Sequence, residues 1–268
     1  MGPTLPLMTS VQRAVVAVEA GQPTRRDDEL AEEAPVEIRL LGVPLAVLMR
    51  TPGDDVALAR GFALTEGIVL SPSEVASVYS VGDGDRYELR LAPGVEVDPE
   101  RFRRSAYVSS SCGVCGKASI DAVRVAGRRP PAGPVVTSEM PSRWMTALAT
   151  VQPGFDRTGG LHAAALCTPD GIVLSSAEDV GRHNAVDKAI GGLIVDRWPL
   201  GEVILVVSGR ISFEIAQKAA VAGIPVVAGV SAASSLAAEL AEEMGLTVIG
   251  FTRDDRFVIY AGADRVGV

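Results

Sequence analysis

The stretch SSSCGVCGKASIDAV, residues 109–123, sets Cys112 and Cys115 two spacers apart among serines and glycines. Thiols in this pattern can bind metal, exchange dithiol for disulfide, or carry sulfur as a nucleophile. A lone C-x-x-C gives zinc two ligands where a tetrahedral site takes three or four from protein. Cys167, His162 and His183 could complete such a site across the fold. Dithiol exchange would be favoured by a thioredoxin-like βα context, which is absent. Serine and glycine neighbours suggest an exposed loop. The following segment, KASIDAVRVAG, reads as a short helix whose start, with Lys117, would favour thiolate. A loop that presents an activated thiol first to one partner and then to another suits a persulfide carrier. Spacing alone leaves metal, redox and carrier chemistry open.

A second set of polar residues falls where predicted strands end. Ser208-Gly209-Arg210, then Ser231 with Ser234 and Ser235, then Phe251-Thr252-Arg253 with Arg256 each follow a short β-branched run. In open α/β sheets ligands sit beyond the carboxyl ends of strands. Free N–H groups at helix starts attract anions, and arginine grips phosphate with a planar fork. The expectation is a phosphorylated ligand across this edge. Taken singly, each group reads equally well as helix caps and solvated arginines. Neither a Walker sequence nor G-x-G-x-x-G is present, so a P-loop NTPase and a Rossmann dehydrogenase are not supported.

The run GRHNAVDKAIGG spaces His183 and Asp187 by i,i+4 on a predicted helix, a pair that could orient an imidazole or be purely structural. Val186, Ile190 and Leu193 form its apolar stripe. Asn184 and Lys188 point away from that stripe and would be surface residues unless another domain or subunit covers them.

These residues need a scaffold. The 268-residue chain is 47% hydrophobic with a formal net charge of −8, which suits an α/β globule and argues against general nucleic-acid binding. The N-terminus is a poor signal peptide, and no stretch is apolar enough to span a membrane. The low, odd cysteine count fits a reducing, cytoplasmic location. Residues 1–35, with the charge run RRDDELAEE and little periodicity, read as a flexible tail or arm. Residues 36–128 read as a small α+β domain. It comprises strands in VEIRLLGVPLAVLM, a helix opened by Thr51, Asp54 and Asp55, a strand in RYELRLA, and the cysteine loop with its helix. RRPPAGP breaks the chain, and residues 129–268 read as an α/β domain. A helix with Ser138 as candidate cap comes first, then two strands joined by Pro169-Asp170-Gly171, then the His183 helix. Three strand–helix units closing on DDRFVIYAG follow, and they predict a mostly parallel sheet.

The segments SSCGVCGK, TGGLHAAAL, EDVGRHNAVDKAIGG, VSGRISFEIAQKAAVAGIPVV, SAASSLAAELAEEMGLTVIGFTR and DRFVIY, in this order, resemble the FdhD family of formate dehydrogenase accessory sulfurtransferases. The resemblance implies a sulfur carrier that takes persulfide sulfur from a cysteine desulfurase. It implies delivery of that sulfur to molybdenum in the bis(molybdopterin guanine dinucleotide) cofactor before insertion into formate dehydrogenase. It also implies a cytidine-deaminase-like three-layer αβα domain and a homodimer; no structural metal is expected. Carried over by motif, Cys112 is the persulfide residue, Cys115 its partner, and Phe251, Thr252, Arg253, Asp254, Asp255 and Arg256 form the cofactor-binding stretch. Ser208, Gly209, Arg210, Ser231, His183 and Lys188 are the further candidates for that site. A zinc deaminase needs H-x-E and P-C-x-x-C; the matching places read HNA at His183 and SGRIS at Ser208, so deamination is not supported. A zinc-dependent deaminase-like enzyme and a non-catalytic cofactor chaperone remain the alternatives.

Overall fold

The computed structural model describes residues 9–102, 130, 132–253 and 256–267. At its centre is a six-stranded sheet built from β8 (His162–Cys167), β9 (Val173–Asp179), β10 (Ile204–Val207), β11 (Val226–Gly229), β12 (Thr247–Arg253) and β13 (Arg256–Ala261), in the order β13-β12-β11-β10-β8-β9. The inner strands ILVV and VVAG are buried throughout, as continuous apolar runs covered on both faces should be. Period-two alternation sorts their side chains. Ala164, Leu166, Leu205, Val207 and Val227 enter one core, while Ala163, Ala165, Ile204, Val206 and Ala228 enter the other.

The sheet is mixed rather than mostly parallel. Only β10–β11 and β11–β12 pair in parallel; β8–β9, β10–β8 and β12–β13 are antiparallel. The reason lies in connection length. A parallel return needs a crossover of a dozen or more residues. After β12 the chain instead turns straight back as β13, so DDRFVIYAG supplies a strand where a third strand–helix unit was expected.

Helices cover both faces. One carries α2 (Met140–Ala149), whose fully buried Trp144 donates its indole N–H to the Pro169 carbonyl at 2.8 Å in the β8–β9 turn. Ser138 does not cap this helix; Glu139 holds the cap position, and Ser138 donates to the Glu139 carboxylate. A short α3 (Pro153–Thr158) follows. The other face carries α4 (Arg182–Leu193), α5 (Phe213–Val221) and α6 (Ser235–Met244).

Beyond α4 lie α1 (Asp55–Thr65) and a four-stranded sheet of β3 (Ala34–Leu40), β4 (Val43–Arg50), β5 (Val75–Val81) and β6 (Arg86–Leu91). Two glycines let α1 and α4 cross at backbone contact. A Cβ on Gly61 would collide with the Asp187 carbonyl, and one on Gly191 with that of Ala57. A single apolar core therefore runs from Val36 and Ile38 through Phe62 into Val186, Ala216 and Val248.

Residues 10–31, expected to be a flexible tail, form a β-hairpin of β1 (Ser10–Glu19) and β2 (Gln22–Ala31). Its side chains meet solvent on both faces, so no alternation of hydrophobic and polar residues marks it. Short strands β7 (Val136–Thr137) and β14 (Val266–Gly267) pair in parallel. No helix among the described residues is long and apolar enough to cross a membrane.

Candidate functional site

Because β10, β11 and β12 run parallel, their carboxyl ends open on one edge, and backbone hydrogen bonds zip the three following loops together. Ile211 N donates to Ala232 O at 3.0 Å, Ser234 N to Ile211 O at 3.0 Å, and Phe251 N to Ser231 O at 3.2 Å. The structure thus brings the Ser208, Ser231 and Phe251 groups to one rim. Ser208 is spent on the scaffold: its hydroxyl accepts from Ala163 N at 2.9 Å and extends the β8–β10 ladder. Gly209 lies against the His162 imidazole, and Arg210 is exposed. Ser234 caps α6 by accepting from Ala237 N at 3.3 Å. Ser212, at the cap position of α5, makes no capping bond and lies 3.3 Å from His183 Nε2 instead.

The third loop is the most strained. Pairing of β12 with β13 slips between Gly250 and Arg253, and Phe251 sits in the slip with φ of 50°, left-handed backbone that a bulky residue seldom adopts. The residue is 49% exposed. Thr252 beside it is 2% exposed, and its hydroxyl has no hydrogen-bond partner among the described residues. Arg253 pairs in register with Arg256, which sets two exposed cations opposite each other. Like charges in that position repel unless an anion lies between them. Asp254 and Asp255 lie outside the described residues, as do Cys112, Cys115, Lys117 and the KASIDAVRVAG segment.

The α4 residues behave differently. His183 does not pair with Asp187; its partners are Ser212 and, at 3.8 Å, Glu214. Burial, reinforced by the Lys218 and Arg182 charges, pushes the imidazole down to about 3, so it is neutral at physiological pH. Asp187 accepts from Thr65 Oγ1 at 2.7 Å and from Lys218 Nζ at 2.7 and 2.9 Å. Burial works against the Lys218 charge, yet the Asp187 and Glu66 carboxylates together hold it above its ordinary range. Lys188, 3% exposed, is 2.8 Å from Asp179 and donates to the Thr51 carbonyl at 2.7 Å. Asn184 reaches Met49 O and Asp179. Both are buried because the chain's own α1 and β4 cover this flank of α4.

The expected helix start near Thr51 carries related work. Asp54 holds the cap position without a side-chain bond, Asp55 pairs with Arg50 at 2.8 Å, and Thr51 accepts from Val180 N. Sequence reasoning missed Asp179, Lys218 and Thr65. Each takes a partner far along the chain: Lys218 and Asp187 are 31 positions apart, Thr65 and Asp187 122, and Asp179 accepts from Thr51 N across 128.

A zinc set of Cys167, His162 and His183 does not assemble. Cys167 and His162 terminate opposite ends of β8, roughly 17 Å apart at the rise of a strand. Cys167 is fully buried, and burial pushes its thiol up to about 11. His162 is held below its usual range by burial and by Arg182. Among the described residues no group of three His, Cys, Asp or Glu side chains could hold a metal ion.

Comparison with known proteins agrees with this layout. The FdhD/NarQ family model matches residues 31–267. A protein of Streptomyces coelicolor named sulfur carrier protein FdhD is 50% identical over 269 residues, covering 96% of this chain and 95% of that one. A namesake from Mycolicibacterium paratuberculosis is 47% identical, covering 97% and 100%. A crystal structure of a presumed formate dehydrogenase accessory protein from Desulfotalea psychrophila superposes with a TM-score of 0.77 at 21% identity, covering 96% and 99%, and shares the fold. The chain belongs to the FdhD/NarQ family.

Proposed function

We propose that this protein is a cytoplasmic sulfur carrier that supports formate dehydrogenase. It takes persulfide sulfur from a cysteine desulfurase onto Cys112 and passes it to the molybdenum of the bis(molybdopterin guanine dinucleotide) cofactor, its substrate. The observation that carries the reading is 45–50% identity over nearly the whole chain to proteins named as sulfur carriers. Cys112 thiolate attacks the outer sulfur of the desulfurase persulfide, and the desulfurase cysteine leaves as thiolate. The Cys115 thiolate then attacks Cys112 sulfur; a Cys112–Cys115 disulfide forms and hydrosulfide leaves toward the cofactor. A cellular dithiol restores the reduced pair for the next round.

The strand-end rim supports a guanylated, phosphorylated ligand. Arg210, Arg253 and Arg256 are exposed and face no carboxylate that would neutralise them among the described ion pairs. The strained, exposed Phe251 offers a face for a base. Backbone strain of this kind concentrates at binding sites. Lys188 drops out of the ligand set because Asp179 takes its charge. On this reading residues 129–268 are a cytidine-deaminase-like scaffold that holds a nucleotide without zinc, and the working partners are the desulfurase, formate dehydrogenase and a second copy of the chain.

Incubation with a desulfurase and cysteine should add about 32 Da, one sulfur, to the wild-type protein and nothing to Cys112→Ala. An undiminished gain in that variant would remove Cys112 from the mechanism. Full support of formate dehydrogenase by a variant lacking both loop thiols would leave only a cofactor chaperone.

A further inference from the structure

The hairpin of β1 and β2 is a two-stranded sheet that pairs with no further strand among the described residues. It touches the body near its base, where Arg157 on α3 bonds Glu29 at 2.8 Å and Thr9 at 3.3 Å. Val16 and Val18 farther out are 59% and 64% exposed. An isolated two-stranded ribbon is marginal in water. The match to the family model begins at residue 31, where β2 ends.

Its two free edges differ. The outer edge of β2 runs through Pro23, Arg25, Arg26, Asp27 and Asp28, the proline and charges that natural edges use to repel another strand. The outer edge of β1 runs through Ala14-Val15-Val16-Ala17-Val18, with no charge inside that run. The hairpin closes through a two-residue turn at Ala20 and Gly21, both with positive φ, which makes Glu19 and Gln22 a hydrogen-bonded pair. At the open end Glu32 N donates to Thr9 O at 2.9 Å. Odd-numbered β1 residues thus bond to β2. The backbone groups of Gln12, Ala14, Val16 and Val18 point outward.

We infer that this edge pairs with the same edge of a second copy, antiparallel across a two-fold axis at Val16. In that register Val16 meets the partner's Val16, Ala14 meets the partner's Val18, and Arg13 meets the partner's Glu19. The hydrogen-bonded rungs fall on the outward even-numbered residues. The two Arg13–Glu19 pairs close the apolar strip at its ends. The segment is self-complementary because one cation and one anion flank the five apolar residues symmetrically, as a two-fold interface requires. The pairing gives the proposed homodimer its interface and rests on that reading.

Sedimentation of the full-length protein tests it. Arg13→Glu alone and Glu19→Arg alone each place like charges opposite one another twice, and each should raise the dimer dissociation constant about ten- to a hundredfold. In an equimolar mixture of the two variants, a heterodimer again sets opposite charges against each other at both ends of the strip, and it should recover wild-type affinity. Recovery by mixing cannot come from repair of a damaged hairpin. A wild-type dimer that both variants leave intact, or a mixture no tighter than its components, overturns the β1 pairing and spares the homodimer. A wild-type protein that sediments as a monomer overturns both.

Discussion

At the crossing of α1, α4 and α5, every buried charge has a partner within the chain. Lys218 serves Asp187, Glu66 and Thr65; Lys188 serves Asp179 and Thr51; Arg50 serves Asp55. At the rim of β10–β12 the same residue types stand exposed. Arg253 opposes Arg256, Phe251 holds a left-handed backbone, and the buried Thr252 hydroxyl has no hydrogen-bond partner among the described residues. The first region spends its charges on joining the N-terminal sheet to the C-terminal one. On the proposed reading, the second keeps them for a ligand. If the rim is the site proposed above, internal closure of charge separates it from the scaffold, and mutations in the two regions should move stability and binding in opposite proportion.

The largest effect belongs to the first region. Lys218→Met takes the ammonium from the buried Asp187 carboxylate and leaves it the Thr65 hydroxyl, and loss of one partner of a buried pair costs about 3–5 kcal/mol. Denaturant titration should show a loss of unfolding free energy of that size, and adding Asp187→Leu should recover most of it. A shift near zero for Lys218→Met would mean that the crossing is wet and that the contrast between the regions is false.

His183 sits between the two and tests the boundary by pH. Its folded value, about 3, is below the unfolded value of 6.5. Between those values the unfolded chain binds the extra proton, so stability contributed by the neutral imidazole is present above pH 6.5 and is lost as pH falls toward 3. The slope approaches about 1.4 kcal/mol per pH unit for one proton. Lys218, Arg182 and His162 repel the imidazolium, while Glu66 favours it. Nε2 also faces Ser212 and Glu214. Unfolding free energies of wild type and His183→Gln at pH 7 and pH 5 should therefore converge as pH falls. Parallel profiles would show that His183 protonates freely in the folded protein.

Legibility in the sequence follows the same division. The β8–β9 turn at Pro169-Asp170-Gly171 and the runs ILVV and VVAG are where residue patterns place them, because turn chemistry and burial on both faces leave local signatures. The rim was legible for a related reason: hydroxyl and arginine residues directly follow buried strands. The β1–β2 hairpin was not, since a ribbon with no buried face needs no alternation. Nor were the partners of α4. His183 and Asp187 share a flank at i,i+4, but α5 and the end of α1 offer Asp187 an ammonium and a hydroxyl that no local pattern announces. The left-handed Phe251 is equally silent, because the slip that imposes it arises from how β13 returns along β12.

That residue supplies the smallest expected change in stability and the sharpest contrast. A bulky side chain held in left-handed backbone costs roughly 1–2 kcal/mol, which glycine does not incur. Phe251→Gly exposes no core, since the residue is half in solvent. Its extra freedom in the unfolded chain offsets part of the relief, so unfolding stability should stay within about 1 kcal/mol of wild type or rise. Binding of GDP, measured by calorimetry, should weaken about tenfold if the ring stacks on the base. Arg253→Ala should leave stability within about 0.5 kcal/mol and weaken binding by a comparable factor. Loss of binding without loss of stability at both positions is what a rim kept for a ligand predicts. Loss of stability with unchanged binding would assign Phe251 and Arg253 to the scaffold, alongside Lys188.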